Sequence, residues 1–426
     1  VTTATEAPAL EARHVTVISH KAPIVLGAVT VLFALLLLLA PREGLTHFRF
    51  ATDGDFVMLP SAAVPAMLTA WICVVIAAAL SVGAYLSTRA ARKVPIWLSV
   101  LFAVAVLFGF LAWSGAGSSA DFPVSRLLAS SILLAVPLVF GALGGVLGER
   151  AGVVNIAIEA QLLAGAFTAA IVGSLTDSPF AGLVAAIGAG MLVALVLGVF
   201  AITYRVDQII VGVVLNVLVI GLTSFFYSEV LVPDAERLNS TNRFGTWAIP
   251  GLSGIPVIGP ALFHQSVIVY IMYIAVPVVW FVMFRTRWGL RLRAVGEHPQ
   301  AADTVGIKVE RMRYAGILVA GGVVGIGGAF YTVVSVSSFG KEMTAGAGFI
   351  ALAAVIFGKW HPVRAAMAAL LFGAASSLQG ALSIVGAPVP SQFMLMLPYV
   401  VTILAVAGLV GKSRAPAADG QPYIKE

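Results

Sequence analysis

Glu149, Asn155 and Glu159 are polar side chains set in an otherwise apolar stretch, Gly148-Glu149-Arg150-Ala151-Gly152-Val153-Val154-Asn155-Ile156-Ala157-Ile158-Glu159-Ala160-Gln161. A lone charge at the centre of a bilayer costs about 2.5–3.5 kcal/mol on insertion scales, so such groups need a partner or water. The spacing of four places Asn155 and Glu159 on one face of a helix. Two readings fit the run. In the first, a broken helix lines a hydrophilic path, because non-helical backbone at membrane depth survives only where protein or water surrounds it. In the second, a turn at the aqueous side lets a Glu–Arg pair snorkel outward.

Another candidate run is Arg287-Trp288-Gly289-Leu290-Arg291-Leu292-Arg293-Ala294-Val295-Gly296-Glu297-His298-Pro299-Gln300-Ala301-Ala302-Asp303-Thr304-Val305-Gly306-Ile307. Pro299 fits the first turn of a short helix, with His298 before it and Gly306 closing it. Ala301, Ala302 and Val305 are expected to form a small apolar face beside Glu297 and Asp303, a shape suited to a partner's groove. Arg285, Arg287, Arg291 and Arg293 fit a lipid-headgroup anchor equally well.

The segment from Met343 to Pro362 holds Thr344, Gly346 and Gly348, a half-length apolar stretch 349–358, and Lys359-Trp360-His361-Pro362. It reads either as a re-entrant element inside a bundle or as a helix running to 380 with a kink at Pro362. Upstream, Tyr331 and Phe339 are aromatic candidates for stacking on a planar solute, although membrane-interface belts use the same residues. Asn216 and Gln379 suit interhelical hydrogen bonds, and Asn216 is also a candidate on the path. Asp207 is placed to cap a helix.

The elements that position these residues are membrane helices. The chain has 426 residues, 60% hydrophobic and 10% charged, whereas a soluble domain carries about 25% charged residues. Apolar segments fall at about 22–40, 63–86, 95–113, 127–148, 156–176, 180–203, 209–230, 266–284, 314–334, 349–358, 362–380 and 391–410. Most reach the length needed to cross the hydrocarbon core. The fold class expected is an all-α polytopic bundle of about 10–12 segments with interrupted or re-entrant helices. It is divided into a tail 1–21, a transmembrane domain 22–410 and a tail 411–426. The interruptions near 148–161 and 340–358 read either as a pseudo-repeat, which in transporters points to the transport path, or as unrelated packing defects.

With both termini inside, the inner segments hold 19 Lys and Arg and the outer segments 6. That bias sets membrane orientation, and it accounts for the net charge of +6 without a nucleic-acid partner. The lone Cys73 allows no disulfide framework. The scattered histidines give no metal spacing, and no catalytic pair is visible. The glycines at 321, 322, 325, 327 and 328 suit close helix packing rather than phosphate binding, and no Walker A sequence is present.

Run 148–160 resembles a stretch typical of the permease subunits of bacterial ABC importers in the branched-chain amino acid and ribose superfamily, and within it the nucleoside importer branch. Asp207-Gln208-Ile209-Ile210-Val211-Gly212 with Asn216, the loop 286–307, the stretch 344–362 and Pro422-Tyr423-Ile424-Lys425 are similar too. The likeness runs from about 125 onward. Ala151 stands where Ser is common, and Ala157 and Ala160 where Gly is common.

The resemblance implies a multi-pass protein of the bacterial inner membrane with both termini cytoplasmic, importing nucleosides by alternating access. It implies a second related permease, a cytoplasmic ATPase that binds ATP and magnesium, and an external solute-binding lipoprotein received by loop 231–265. No cofactor, metal or catalytic residue is expected in this chain. Residues 294–307, with Gly296, Glu297, Pro299, Ala301, Ala302, Asp303 and Gly306, become the coupling helix to the ATPase. Ribose-like sugars or another small solute are the alternative cargo, and an ion-coupled secondary transporter is the alternative class.

Overall fold

The computed structural model describes residues 20–51, 58–92, 94–386, 392–394, 396 and 414–425. Ten of its helices are long and apolar enough to cross a membrane, counted among the described residues. They follow the expected apolar segments closely. Most of the twelfth, 391–410, and nearly all of the tail 1–21 lie outside the described residues.

The chain forms two compact units, Val1–Thr46 with Val64–Ser118, and His47–Ala63 with Ser119–Glu426. The first holds helices α1 (Lys21–Leu39), α2 (Ala66–Arg89) and α3 (Ile96–Ser114). Inside it, Thr30 and Ser81 share a hydrogen bond of 3.2 Å, and Trp113 Nε1 donates to the Ala40 carbonyl at 2.8 Å.

Every candidate residue lies in the second unit. Its elements are α4 (Val124–Arg150), α5 (Ile158–Thr176), α6 (Pro179–Gly198), α7 (Gln208–Phe226), α8 (Ala235–Leu238), α9 (Ile258–Phe263), α10 (Val267–Arg285), α11 (Arg287–Glu297), α12 (Pro299–Thr304), α13 (Val309–Phe330), α14 (Ala347–Phe357) and α15 (Pro362–Val385). Between α8 and α10, Thr246–Ala248 pairs antiparallel with His264–Ser266. Helices α6, α7 and α13 each run on into a π-helical turn, at Val199–Thr203, Tyr227–Leu231 and Tyr331–Val336.

Close backbone contact sets the core of this unit. An added methyl on Gly190 of α6 would overlap the Gly321 carbonyl oxygen of α13, and one on Gly325 would overlap that of Ala186. Gly328 meets Leu162 of α5 in the same way. The glycines of α13 therefore serve packing, as their spacing suggested. Helices α4, α5 and α13 are the most buried spans, at 56%, 61% and 67%, against 33% for α7 and 28% for α10.

The two interruptions are real, and their forms differ from the simplest expectations. Helix α4 ends at Arg150, yet Ile158, where α5 begins, packs back against Gly141 and Gly145. At 1.5 Å per residue, α5 therefore starts about 10 Å inside the end of α4. Asn155 sits in the non-helical stretch between them, so Asn155 and Glu159 do not share a helix face as their spacing suggested.

Helix α14 runs parallel to α4, matching Ala351 to Gly141 and Val355 to Gly145. Helix α15 runs antiparallel to it, with Gly373 on Ala135 and Ser377 bonded to the Leu127 carbonyl. A single kinked helix to 380 is thus excluded. Eleven residues span about 16 Å, half the hydrocarbon core. The segment is half of a discontinuous crossing, started at mid-bundle by a turn with Glu342, Ala345 and Gly346 at positive φ.

Candidate functional site

The deeper part of the site is the meeting of the two interruptions. The Glu159 carboxylate accepts from Thr344 Oγ1 at 2.6 Å, from the Gly346 N–H at 2.9 Å and from the Gly348 N–H at 2.6 Å. The first N–H groups of a helix have no internal partner, and a negative charge there is favoured by the helix dipole. Glu159, from the first turn of α5, therefore caps the half-helix α14. This answers how a carboxylate is tolerated inside the bundle: it is 4% exposed and saturated with donors. Tyr331 stands near it.

Helix α7 satisfies the backbone of the α4–α5 break. Asn216 Oδ1 accepts from the Ala160 N–H at 2.9 Å, and its Nδ2 donates to the Ile156 carbonyl at 3.0 Å. Gln208 Oε1 accepts from the Val154 N–H at 2.7 Å. Gly212 allows the approach, since a methyl there would stand 2.8 Å from Ile156 Cβ. Asp207 caps α7, accepting from Ile209 and Ile210. The side-chain amides of Asn155 and Gln161 pair reciprocally, each bond 3.1 Å. Polar atoms here replace the water that irregular backbone would otherwise need.

On the side of the bundle away from the break, Phe339 is enclosed. Phe167 meets it edge-on at 5.2 Å and Tyr227 tilts against it at 6.1 Å. Asn239 clamps its backbone, accepting from the Phe339 N–H at 2.6 Å and donating to its carbonyl at 3.0 Å. The loop that follows α7 is thereby tied to the chain leading into α14.

The second part of the site lies at the end of the bundle that carries α11 and α12. Lys359 and Trp360 adopt left-handed backbone, with φ 54° and 53°, a conformation that costs non-glycine residues free energy. It directs the Trp360 indole N–H onto the Glu149 carboxylate. Arg150 donates to the Trp360 carbonyl at 3.1 Å and pairs with Glu297 at 3.4 Å. Gly296 packs directly on the Arg150 carbonyl. The Glu–Arg pair of the snorkelling reading does not form, because Glu149 takes the Trp360 indole while Arg150 turns to Glu297 and the Trp360 carbonyl, all more than a hundred residues away.

Helix α12 forms as its sequence prescribes, with Pro299 in its first turn, His298 before it and Gly306 beyond it at φ +84°. The expected apolar face divides. Ala302 turns inward onto Val295 and Val309, while Ala301 and Val305 stay exposed, Val305 at 75%. The acidic pair is partnered within the chain: Glu297, its side chain still 46% exposed, is held by Arg150 and by the Ala417 N–H at 3.2 Å, and Asp303 lies 3.5 Å from Lys425. Of the four arginines proposed as a lipid anchor, two are engaged on aromatic rings. Arg285 lies over Trp280 and Arg293 over Phe284.

The structure thus joins Glu159 to Thr344 directly and brings Asn155 and Asn216 to the same break. Glu149 belongs to the other cluster and Phe339 to a separate aromatic one. Sequence reasoning gave no role to Gln208, Asn239, Arg313 or Asp419. Gln208 carried a usable signal, because it stands two turns before Asn216 on one helix face. Asn239 and Arg313 act through hydrogen-bond partners about 100 residues away, and the Asp419 charge faces Arg313. Among the described residues, no group of His, Cys, Asp and Glu is arranged to hold a metal ion.

Comparison with known proteins gives these features a setting. The model of the family described as "Branched-chain amino acid transport system / permease component" matches residues 127–406, a stretch that begins after α3. Guanosine ABC transporter permease protein NupQ of Bacillus subtilis (strain 168) is 42% identical over 311 residues, covering 71% of this chain and 97% of that protein. Nucleoside ABC transporter permease protein NupC of Lactococcus lactis subsp. cremoris (strain MG1363) is 40% identical over 318 residues, 70% of this chain and 96% of that one. The Bacillus strain also contributes Guanosine ABC transporter permease protein NupP, 26% identical over 301 residues, 66% of this chain and 83% of that one. No solved structure matches.

Proposed function

The chain belongs to the branched-chain amino acid transport system permease-component family, and from that premise we propose that it is the membrane subunit through which an ABC importer moves nucleosides into the cell. It is a multi-pass membrane protein and a transport component, not an enzyme, and it works with a partner permease and an ATPase. The observation that carries the nucleoside reading is 40–42% identity to two permeases named for guanosine and nucleoside transport, across nearly their whole length.

The finer assignments are ours. Both termini and the α11–α12 end face the cytoplasm, as the distribution of Lys and Arg favours. Helix α12 is the contact with the ATPase, through exposed Ala301 and Val305, while Ala302 anchors it from beneath. ATP and magnesium are bound by that ATPase. The loop 231–265, with Trp247 65% exposed, receives an external binding lipoprotein.

The junction of Glu159 with Thr344, Gly346 and Gly348 borders the solute path, with Asn155, Asn216 and Tyr331 around it, the aromatic cluster of Phe339 further along it and Glu149 at its cytoplasmic end. Support comes from the physics of the break. Two interrupted helices meet at one buried carboxylate, where small rotations exchange hydrogen bonds without unwinding further helix. Alternating access requires a hinge of that kind.

Uptake of labelled guanosine by proteoliposomes holding the complete complex tests the proposal. Uptake is expected to require ATP and to be blocked by excess unlabelled nucleoside. Inhibition by ribose but not by nucleosides would reassign the cargo to sugars. Uptake persisting without ATP or ATPase would replace the importer with an ion-coupled carrier.

A further inference from the structure

Residues 414–425 do not hang free from the α11–α12 end. The Ala418 N–H donates to the Gly296 carbonyl at 2.9 Å, and the Ala417 N–H to Glu297 Oε2 at 3.2 Å. Arg313 of α13 donates to the Gln421 carbonyl at 2.8 Å, and Lys425 lies 3.5 Å from Asp303. Tyr423 packs against the small cluster of Val295, Ala302 and Val309. The segment also reaches the α4–α5 turn, where the Ala418 carbonyl and Gly420 approach Gly152 and Val154.

These contacts matter because α12 is six residues long, too short to persist alone in water. Two of the contacts reach α12 itself, Lys425 on Asp303 and Tyr423 beside Ala302, and the others hold residues 414–425 on α11 and α13 next to it. What the segment leaves outward is also informative. Ile424 is 58% exposed. It helps wall a cleft of about 520 Å³, with His298, Pro299 and Gln300 on one side and Pro422, Tyr423 and Ile424 on the other. Apolar side chains and hydrogen-bonding groups line the same opening, continuous with the exposed end of α12.

We infer that residues 414–425 form one wall of the ATPase-docking surface, the other wall being α12, so that an element of the ATPase seats in the cleft between them. The inference rests on the reading of α12 as the ATPase contact. The occupant is argued from continuity with α12, and from an apolar side chain held outward by a segment whose backbone is fixed on the opposite side. A merely solvated segment has no reason to order itself around an inward Asp419 and Arg313.

The test uses the whole complex with three variants of this chain: Ile424→Glu, Val305→Glu and termination after Ser413. Co-purification of the ATPase with the permease pair in detergent is measured, together with guanosine uptake. Ile424→Glu is expected to lower the recovered ATPase at least fivefold and uptake in proportion, with normal membrane insertion and an unchanged melting temperature of the permease. Termination after Ser413 should do the same. Wild-type recovery and uptake for Ile424→Glu would overturn the inference.

Val305→Glu separates the two readings. If it leaves assembly intact while Ile424→Glu abolishes it, α12 is not the contact and the 414–425 segment is. If the shortened chain fails to insert, Ile424→Glu and Pro422→Glu, both at exposed positions, decide alone.

Discussion

Gly348 packs so tightly on Glu159 that a β-carbon at residue 348 would overlap the Glu159 backbone nitrogen, while the Gly348 N–H donates to the Glu159 carboxylate at 2.6 Å. The first turn of α5 and the first turn of α14 are thereby one junction.

Gly348→Ala forces that junction apart. Overpacking of this kind costs about 1–3 kcal/mol, and the methyl faces backbone that has no rotamer to change. The melting temperature in detergent should fall by several degrees and guanosine uptake by at least tenfold. An unchanged melt with full uptake would mean that the two turns do not touch.

Glu159→Gln tests the charge. The amide keeps one acceptor oxygen and loses the second, leaving Gly348 unpaired in one orientation and both Thr344 and Gly346 in the other. A buried donor without a partner costs about 1–3 kcal/mol. Glu159→Ala should be worse than Glu159→Gln in both melt and uptake. Equal behaviour of the two variants would show that the carboxylate does not cap α14.

Asn216→Asp discriminates between a cap and a solute contact. The carboxylate still accepts from the Ala160 N–H but turns a second oxygen onto the Ile156 carbonyl, where Asn216 Nδ2 now donates. Thermal stability should therefore drop even without cargo, and Asn216→Leu should drop further. If both variants melt as the parent does and only the Michaelis constant for uptake rises, Asn216 contacts solute instead.

Asp419 gives the 414–425 segment a pH dependence. Burial is the main reason its carboxyl rises from the ordinary 3.8 to about 7, although Arg313 and the Gly420 N–H pull it down. Glu149 of α4 and Arg313 of α13 face it. A released segment titrates near the ordinary value, so docking favours the protonated acid. That contribution is complete below 3.8 and is lost as pH rises through about 7.

A spin label on Ile424→Cys, in a Cys73→Ser background, should accordingly become more mobile as pH rises from about 4 to about 7, with no further change above that. Asp419→Asn should flatten the change. The opposite slope would contradict the placement of Asp419.

Much of this architecture was legible in the residues. Apolar length located the spans, because the bilayer demands about twenty residues per helix. Pro299 and Gly306 bounded α12 because each fixes or permits one backbone conformation. Asn155 misled. Its spacing from Glu159 assumed a helix that the chain abandons at Ala151, and Gln208 and Asn216, more than fifty residues away, supply the hydrogen bonds that the non-helical course needs. Ala302 misled on a smaller scale, since six residues of helix cannot announce which side faces Val295. The partners of Arg150, Arg313 and Asn239 were hidden because long-range pairing leaves no periodic trace.

Where α6 and α13 touch through Gly190, Gly321 and Gly325, main chain meets main chain, with the Ala194 methyl beside it. Side chains can swivel to absorb a tilt; carbonyls pressed against α-carbons cannot. The pair is expected to travel as a single plank, so any rocking of the bundle must be taken up where the helices are already severed, beside Glu159 and at Lys359–Trp360.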